Sequence, residues 1–412
     1  MVLNYKNEFL KIEKVDILKI AKEYPTPIYV YSANMIEKNY NDLKSKLKKN
    51  IYYSVKANSN QAIISLLSRL GSGTDVVSGE ELLRVLSAGV KSNKIIFEGV
   101  GKTRNDLVIA IENNIKQINV ESIGEFKLID DVAKSLNKKA NVGVRINPDI
   151  DAKTHDKIST GRKNDKFGIG FNEIEESIKT ITSLKNIKFN GISCHIGSQI
   201  FSLDVFNKMF AKIKEAEKIY SNNNLKIQNL NLGGGMGYDY EKKKSFDIGG
   251  LSLLVNKFFS NENYEISFEP GRYLVANSGV LITKILMIKE SENNNFLIID
   301  AGMNTLLRPA LYKAFHNIVP LNKQKDKIDY CVVGPICENS DIFLRKISLP
   351  KQKIGDLLAI EDVGAYGSVM SSNYNSKILP AEIMVKDNKY EIIRNSQSLD
   401  DLISRDNVPS WI

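Results

Sequence analysis

The amine with the most unusual setting in this sequence is Lys56. Residues 51–58 read I-Y-Y-S-V-K-A-N, a short β-branched and aromatic run with the lysine at its C-terminal end. An ammonium held against an apolar core is costly unless it is paired or neutralised. A neutralised lysine attacks carbonyl carbons and forms a Schiff base. The plainer alternative is a strand-end lysine whose stem lies on apolar surface while its amine reaches water. Other capable groups follow. His195 opens H-I-G-S-Q, residues 231–237 read N-L-G-G-G-M-G, and residues 269–272 read E-P-G-R. Consecutive glycines let backbone N–H groups close around a phosphate, although the same string also makes a tight turn without a ligand. A dinucleotide fingerprint is excluded, since Tyr238 stands where its last glycine belongs. A P-loop at 99–103 is excluded too, because Ile96 occupies the place of its first glycine. Glu269 can hold a protonated ring nitrogen and Arg272 can clamp a carboxylate or phosphate. Both can equally form a surface ion pair of little energetic consequence. His195 is open to a structural or a catalytic role.

The elements that must position these groups alternate regularly. Strand patterns fall at 51–55, 74–77, 94–98, 117–121, 141–146, 190–195, 228–232 and 265–268. Amphipathic helical patterns lie between them, for example at 61–70, 80–88, 123–136, 173–184 and 204–220. Parallel strands need crossover helices, and eight such repeats predict a TIM (β/α)8 barrel. Active sites of that fold sit at the C-terminal strand ends. Those ends gather Lys56, Asp75, Ser78, Glu121, Ser122, Arg145, Asn147, His195, the glycines at 233–235 and residues 269–272. A long polar excursion at 147–170 has the length of a functional loop. Beyond residue 279 the pattern changes to strands without long helices, at 280–289, 295–301, 329–333, 357–362 and 383–394, the last carrying a hairpin turn at 386–389. The expected organisation is therefore a barrel over 33–278 and a second, all-β domain formed by 1–32 and 279–412.

Composition narrows the function classes. The 412 residues are 42% hydrophobic and 25% charged, values typical of a globular protein with substantial cores. The net charge of +9 is spread along the chain without an Arg-rich helix or aromatic-basic stripe, which argues against nucleic-acid binding. No apolar run reaches membrane-spanning length and the N-terminus lacks a signal core, so a cytoplasmic protein is expected. Cys194, Cys331 and Cys337 are too few and too scattered for a disulfide framework, and three histidines suggest no zinc set.

The motifs occur in a recognisable order. Y-Y-S-V-K-A-N, H-I-G-S-Q, N-L-G-G-G, E-P-G-R, C-E-N-S-D at 337–341 and G-A-Y-G at 364–367 resemble the fold-type III decarboxylases that use pyridoxal phosphate. Three longer strings, beginning at Arg145, Ile158 and Asp300, are similar to those of the diaminopimelate decarboxylases within that group. The likeness covers nearly the whole chain. Departures are small: Asn339 where serine is usual, Met236 where leucine is common, and Glu80 where glycine is frequent. They touch loop detail and not the reacting groups.

The resemblance implies roles. Lys56 would carry pyridoxal 5'-phosphate, His195 would stack on its ring and Glu269 would bind its nitrogen. Ser198, Gly234, Gly235, Gly271, Arg272 and Tyr366 would hold the phosphate, and Asp75 lies on the same rim. Arg272, Arg308 and Tyr312 would hold the distal carboxylate of meso-diaminopimelate, Glu338 its ammonium, with Tyr366 close by. Cys337 would donate the proton that replaces CO2. In the family Cys337 and Glu338 serve the neighbouring subunit's site, which implies a homodimer with composite sites. The alternative substrate is ornithine, arginine or carboxynorspermidine.

Overall fold

A computed structural model describes residues 2–6, 9–152, 160–292, 295–321 and 327–412. Parts of the strings beginning at Arg145 and Ile158 fall at 153–159 and lie outside the described residues. Backbone packing divides the chain into two units, one of residues 37–238 and 245–274, the other of residues 1–36, 239–244 and 275–412.

The first unit is an eight-stranded parallel barrel. Its strands, in chain order, are Asn50–Ser54, Gly73–Val76, Ile95–Phe97, Gln117–Val120, Ala140–Asn147, Ile187–Ser193, Asn229–Asn231 and Glu265–Phe268. Each pairs in parallel with the next, and the eighth returns to the first through Phe268 opposite Ile51, which closes the barrel. A two-residue strand, Ile169–Gly170, adds to the fifth. All eight expected strands are present within a few residues of the expected bounds. The first ends one residue early, and Lys56 sits on a single 3-10 turn, Val55–Ala57.

Local sequence explains the helices. Ser78 caps Gly79–Ser87 by accepting from the Glu81 N–H, while Leu82 and Val85 face inward. Thr103 and Asp106 form a reciprocal capping box on Arg104–Glu112. Leu203–Asn222 buries Val205, Phe206, Met209, Phe210, Ile213, Ala216 and Tyr220, the three-and-four spacing of an amphipathic helix. Inside the barrel the filling is polar in its middle layer, where Gln117, Asn119 and Asn190 are all buried.

The second unit is rich in sheet. Among the described residues nine strands form its main sheet, with Ile28–Ser32 between Gly279–Glu290 and Ala381–Lys386. The first of those pairs is antiparallel and the second parallel. Ile28, Val30, Val280, Ile282, Ala359, Ile383 and Val385 make its core. The hairpin expected at 386–389 is present, with Lys386 opposite Lys389 and Asp387 in the left-handed region at φ 55°. Short helices interrupt the strands, among them Ile17–Glu23 and Arg308–Tyr312. Among the described residues no helix is long and apolar enough to cross a membrane.

Candidate active site

Six of the eight strand ends converge on one cavity in the barrel, lined by Ser54, Lys56, Asp75, Glu98, Arg145, His195 and Glu269. The turn that carries Lys56 buries both neighbours, Val55 and Ala57, so the stem is pinned while the amine stays reachable. The side chain is 41% exposed, and Nζ lies 3.9 Å from Asp75 Oδ2. Ser54 Oγ donates to the same oxygen at 2.5 Å. The other oxygen, Asp75 Oδ1, is buried and has no hydrogen-bond partner among the described residues. Buried polar atoms are nearly always satisfied, so this oxygen marks a place where a bound donor belongs.

Glu269 closes the eighth strand inside the barrel wall. Asn231 donates to its Oε1, and Asn231 Oδ1 in turn accepts from the Gly233 N–H at 2.9 Å. One asparagine thus ties the acid to the glycine loop. Burial, reinforced by Asp75 and Glu98, pushes the Glu269 carboxyl well above the usual carboxylate range against the opposing Asn231 bond and the Lys56 charge. His195 is the opposite case. Burial, with Lys56 and Arg145 nearby, holds it well below the usual histidine range, so the ring is neutral. Its Nδ1 faces the Gly234 N–H at 3.2 Å, which makes Nδ1 the acceptor and assigns the ring proton to Nε2.

The glycine string supplies a cradle. Gly233 and Gly235 have φ of 64° and 93°, backbone that side chains rarely adopt. A Cβ on Gly234 would lie 2.2 Å from the Glu269 carbonyl oxygen, and one on Gly235 2.4 Å from that of Gly197. A Cβ on Gly271 would come within 2.9 Å of Ala57 Cβ. The loop, the 197–198 turn, the 271–272 turn and the Lys56 turn therefore abut. Arg272, buried at the start of Arg272–Val275, donates from Nε and a terminal nitrogen to Ser198 Oγ at 3.4 and 3.2 Å. A guanidinium, a hydroxyl and approachable backbone N–H groups form a phosphate-binding set.

Arg145 supports this arrangement from the fifth strand. It pairs with Glu121 at 2.9 Å, donates to the His195 carbonyl at 3.3 Å and lies 4.8 Å over the Phe167 ring. Thr160 meets the same group, its Oγ1 also donating to the His195 carbonyl.

The remaining expected residues belong to the sheet-rich unit. Arg308 is buried, stacks 4.4 Å over the Tyr240 ring and meets His316 Nε2 at 3.2 Å. Tyr312 ends the same short helix, half-buried. Cys337 and Glu338 are exposed. Glu338 accepts from Tyr374 at 2.6 Å and Ser340 at 2.7 Å, bonds that hold its carboxyl below the usual range. The Cys337 N–H donates to Asn375 at 3.0 Å. Tyr366 is half-buried with a left-handed backbone, φ 56°.

Sequence reasoning missed two residues of the cavity, Ser54 and Glu98, and Asn231 behind Glu269. Ser54 and Asn231 work only through partners 21 and 38 positions away, and nothing local signals such bonds. Glu98 directly follows the third strand, and the strand-end rule that found Lys56 would have found it.

A barrel with an approachable lysine, a buried proton-holding acid and a phosphate cradle at its strand ends defines an enzyme of carbonyl chemistry built around a phosphorylated ring cofactor. Residues 33–276 match the family model described as pyridoxal-dependent decarboxylase, pyridoxal binding domain. A diaminopimelate decarboxylase of Zymomonas mobilis is 39% identical, covering 99% of both chains. The crystal structure of the Methanocaldococcus jannaschii diaminopimelate decarboxylase superposes with a TM-score of 0.95 at 36% identity, over 100% of this chain and 98% of that one. That of Helicobacter pylori, complexed with L-lysine, has a TM-score of 0.91 at 39% identity, over 95% and 99%. The chain belongs to the pyridoxal-dependent decarboxylases and, within them, to the diaminopimelate decarboxylase family. The cofactor is therefore pyridoxal phosphate, and the residues just described fit it.

Proposed function

We propose that this enzyme removes CO2 from the D-centre of meso-diaminopimelate and releases L-lysine, with Lys56 as the residue that holds the cofactor. The observation that carries the reading is the presence, around one cavity, of the Lys56 amine, the buried Glu269 acid and the glycine cradle. The H. pylori relative bound to L-lysine supports the product. When bound, pyridoxal phosphate supplies an aldehyde for an amine and a ring that accepts the electron pair left by CO2.

The chain's own groups do the rest. With Oε1 tied to Asn231, Glu269 is left Oε2 to hold a proton at the ring nitrogen. Such a charge-assisted bond is worth about 1.5–3 kcal/mol. Neutral His195, fixed by the Gly234 N–H, offers a flat face that adds no competing charge. Ser198, Gly234, Gly235, Gly271, Arg272 and Tyr366 take the phosphate, and Asp75 orients the Lys56 amine. Arg272, Arg308 and Tyr312 hold the far carboxylate, Glu338 holds the far ammonium, and Tyr366 borders the substrate. A site whose buried charges expect two polar ends rejects shorter amino acids by leaving those charges unpaired. Cys337 gives its Sγ proton to the carbon that lost CO2 and regains one from water. Exposed Cys337 and Glu338 suit service to a neighbouring subunit, so the catalytic unit is a homodimer with two composite sites. The barrel over 33–278 would carry the cofactor, and the β domain of 1–32 and 279–412 the substrate and dimer contacts. The cytoplasm, where thiols stay reduced, suits a reaction that uses a free cysteine.

The test compares CO2 release from meso-diaminopimelate, ornithine and arginine by the cofactor-loaded protein. Faster turnover of ornithine or arginine would sink the substrate assignment. Borohydride reduction followed by peptide mass mapping should find the cofactor on Lys56, and Lys56→Ala should abolish that adduct.

A further inference from the structure

The sixth, fourth and third strand regions are joined through the barrel interior by a chain of amides. Asn190 donates to Gln117 at 2.7 Å, Gln117 to Asn119 at 2.6 Å, and Asn119 to Glu98 Oε1. All four residues are buried. The chain ends at the cavity wall, where Glu98 Oε2 is buried and has no hydrogen-bond partner among the described residues. A carboxyl held firmly by one oxygen, with the other turned to a cavity, is a built feature, since an unsatisfied buried oxygen costs about 1–3 kcal/mol.

We propose that Glu98 is a further positioning residue of the reaction: the amide chain holds its second oxygen toward the cofactor cavity, where its charge tunes the group bound at Lys56. This inference rests on the cofactor reading given above. Five other ionisable groups face the same space from their own elements, Lys56, Asp75, Arg145, His195 and Glu269, and Glu121 stands next to it as the ion-pair partner of Arg145. Lys56 and Arg145 are the cations among them, so the acid end has one more carboxyl than the Lys56–Asp75, Arg145–Glu121 and ring–Glu269 pairings use. Glu98 is that carboxyl. Burial raises it to about 7, with Asp75 and Glu121 adding to the rise and Arg145 opposing it, so it gains its charge near neutral pH. The anion then favours the protonated state of the nitrogen that joins Lys56 to the cofactor.

The experiment is a pH titration of the visible absorbance of the cofactor-loaded protein, wild type against Glu98→Gln and Glu98→Asp. The amide variant keeps an oxygen for Asn119 and loses only the charge, and melting curves run alongside report its folding. Its absorbance midpoint should fall by about one pH unit, the size of a nearby like-sized charge effect, while Glu98→Asp should stay near wild type. A midpoint that is unmoved or raised in Glu98→Gln overturns the proposal, as does a Glu98→Asp protein that behaves like the amide variant. A wild-type protein that takes up no pyridoxal phosphate overturns the cofactor reading itself, which separates the two failures.

Discussion

In its proposed role Glu269 stays protonated, or shares its proton with a ring nitrogen, at a pH where most carboxyls are ionised. Its burial and its neighbours Asp75 and Glu98 arrange that. Replacing it by glutamine keeps the Asn231 contact and removes the acid. Glu269→Gln should therefore still bind pyridoxal phosphate yet lose about 10²–10³-fold in kcat, the usual loss when one electrostatic contact to the developing charge is removed. Loss of cofactor binding with kcat intact per bound cofactor would contradict the role. Buried acids also make the cofactor-free protein sensitive to pH. Glu98 and Glu81 both rise to about 7 in the folded state, chiefly through burial. Between the ordinary carboxyl value near 4.5 and about 7 the folded chain thus binds more protons than the unfolded one. These two acids therefore contribute less stability as pH rises through that window, while His195, kept neutral in the fold, opposes them below about 6.5. From pH 5 to 7 the urea midpoint of the wild-type protein should decline relative to that of Glu98→Gln; a difference that stays constant or rises would contradict the burial argument.

At the scale of elements, the barrel works because its strands approach closely in the polar middle layer. Gly143 on the fifth strand lies against the amide chain, where a Cβ would come within 2.1 Å of Asn119 Oδ1 and 2.2 Å of Gln117 Nε2. Gly143→Ala should cost about 1–3 kcal/mol by overpacking, read as a lower urea midpoint, and should disturb the cavity although Gly143 is no part of it. The barrel was legible in the sequence because strand and helix periods alternate with little interruption, and with it Lys56, His195, Glu269 and Arg272 at strand ends. What the sequence hides is lateral. Asn231 and Asn119 look like ordinary polar strand residues, and only strand neighbours far along the chain reveal what they hold. The edge strand Ile342–Pro350 was hidden for another reason. It carries Arg345 and Lys346 and ends in proline, the charged, proline-bounded character that discourages edge pairing and blurs a strand signature.

At the scale of the whole molecule, composite sites of the proposed kind have a quantitative consequence. A subunit lacking Lys56 and a subunit lacking Cys337 would each be inactive as homodimers, yet a mixed dimer would hold one site with both groups intact. Unfolding and refolding equal amounts of Lys56→Ala and Cys337→Ala together should restore roughly one quarter of wild-type activity, since half the dimers are mixed and each has one good site. No recovery would mean that both residues serve the same subunit's site.

The strand Ile28–Ser32 has a consequence for synthesis. Its two neighbours in the sheet, Gly279–Glu290 and Ala381–Lys386, leave the ribosome only after every barrel strand has emerged. A nascent chain therefore carries a bare apolar ribbon with unmet backbone groups through most of its translation, the kind of segment on which aggregation starts. Ribosome stalling late in the message would leave that ribbon permanently without its mates, so chaperone capture of such truncated chains should depend on residues 28–32 and vanish when they are replaced by polar ones.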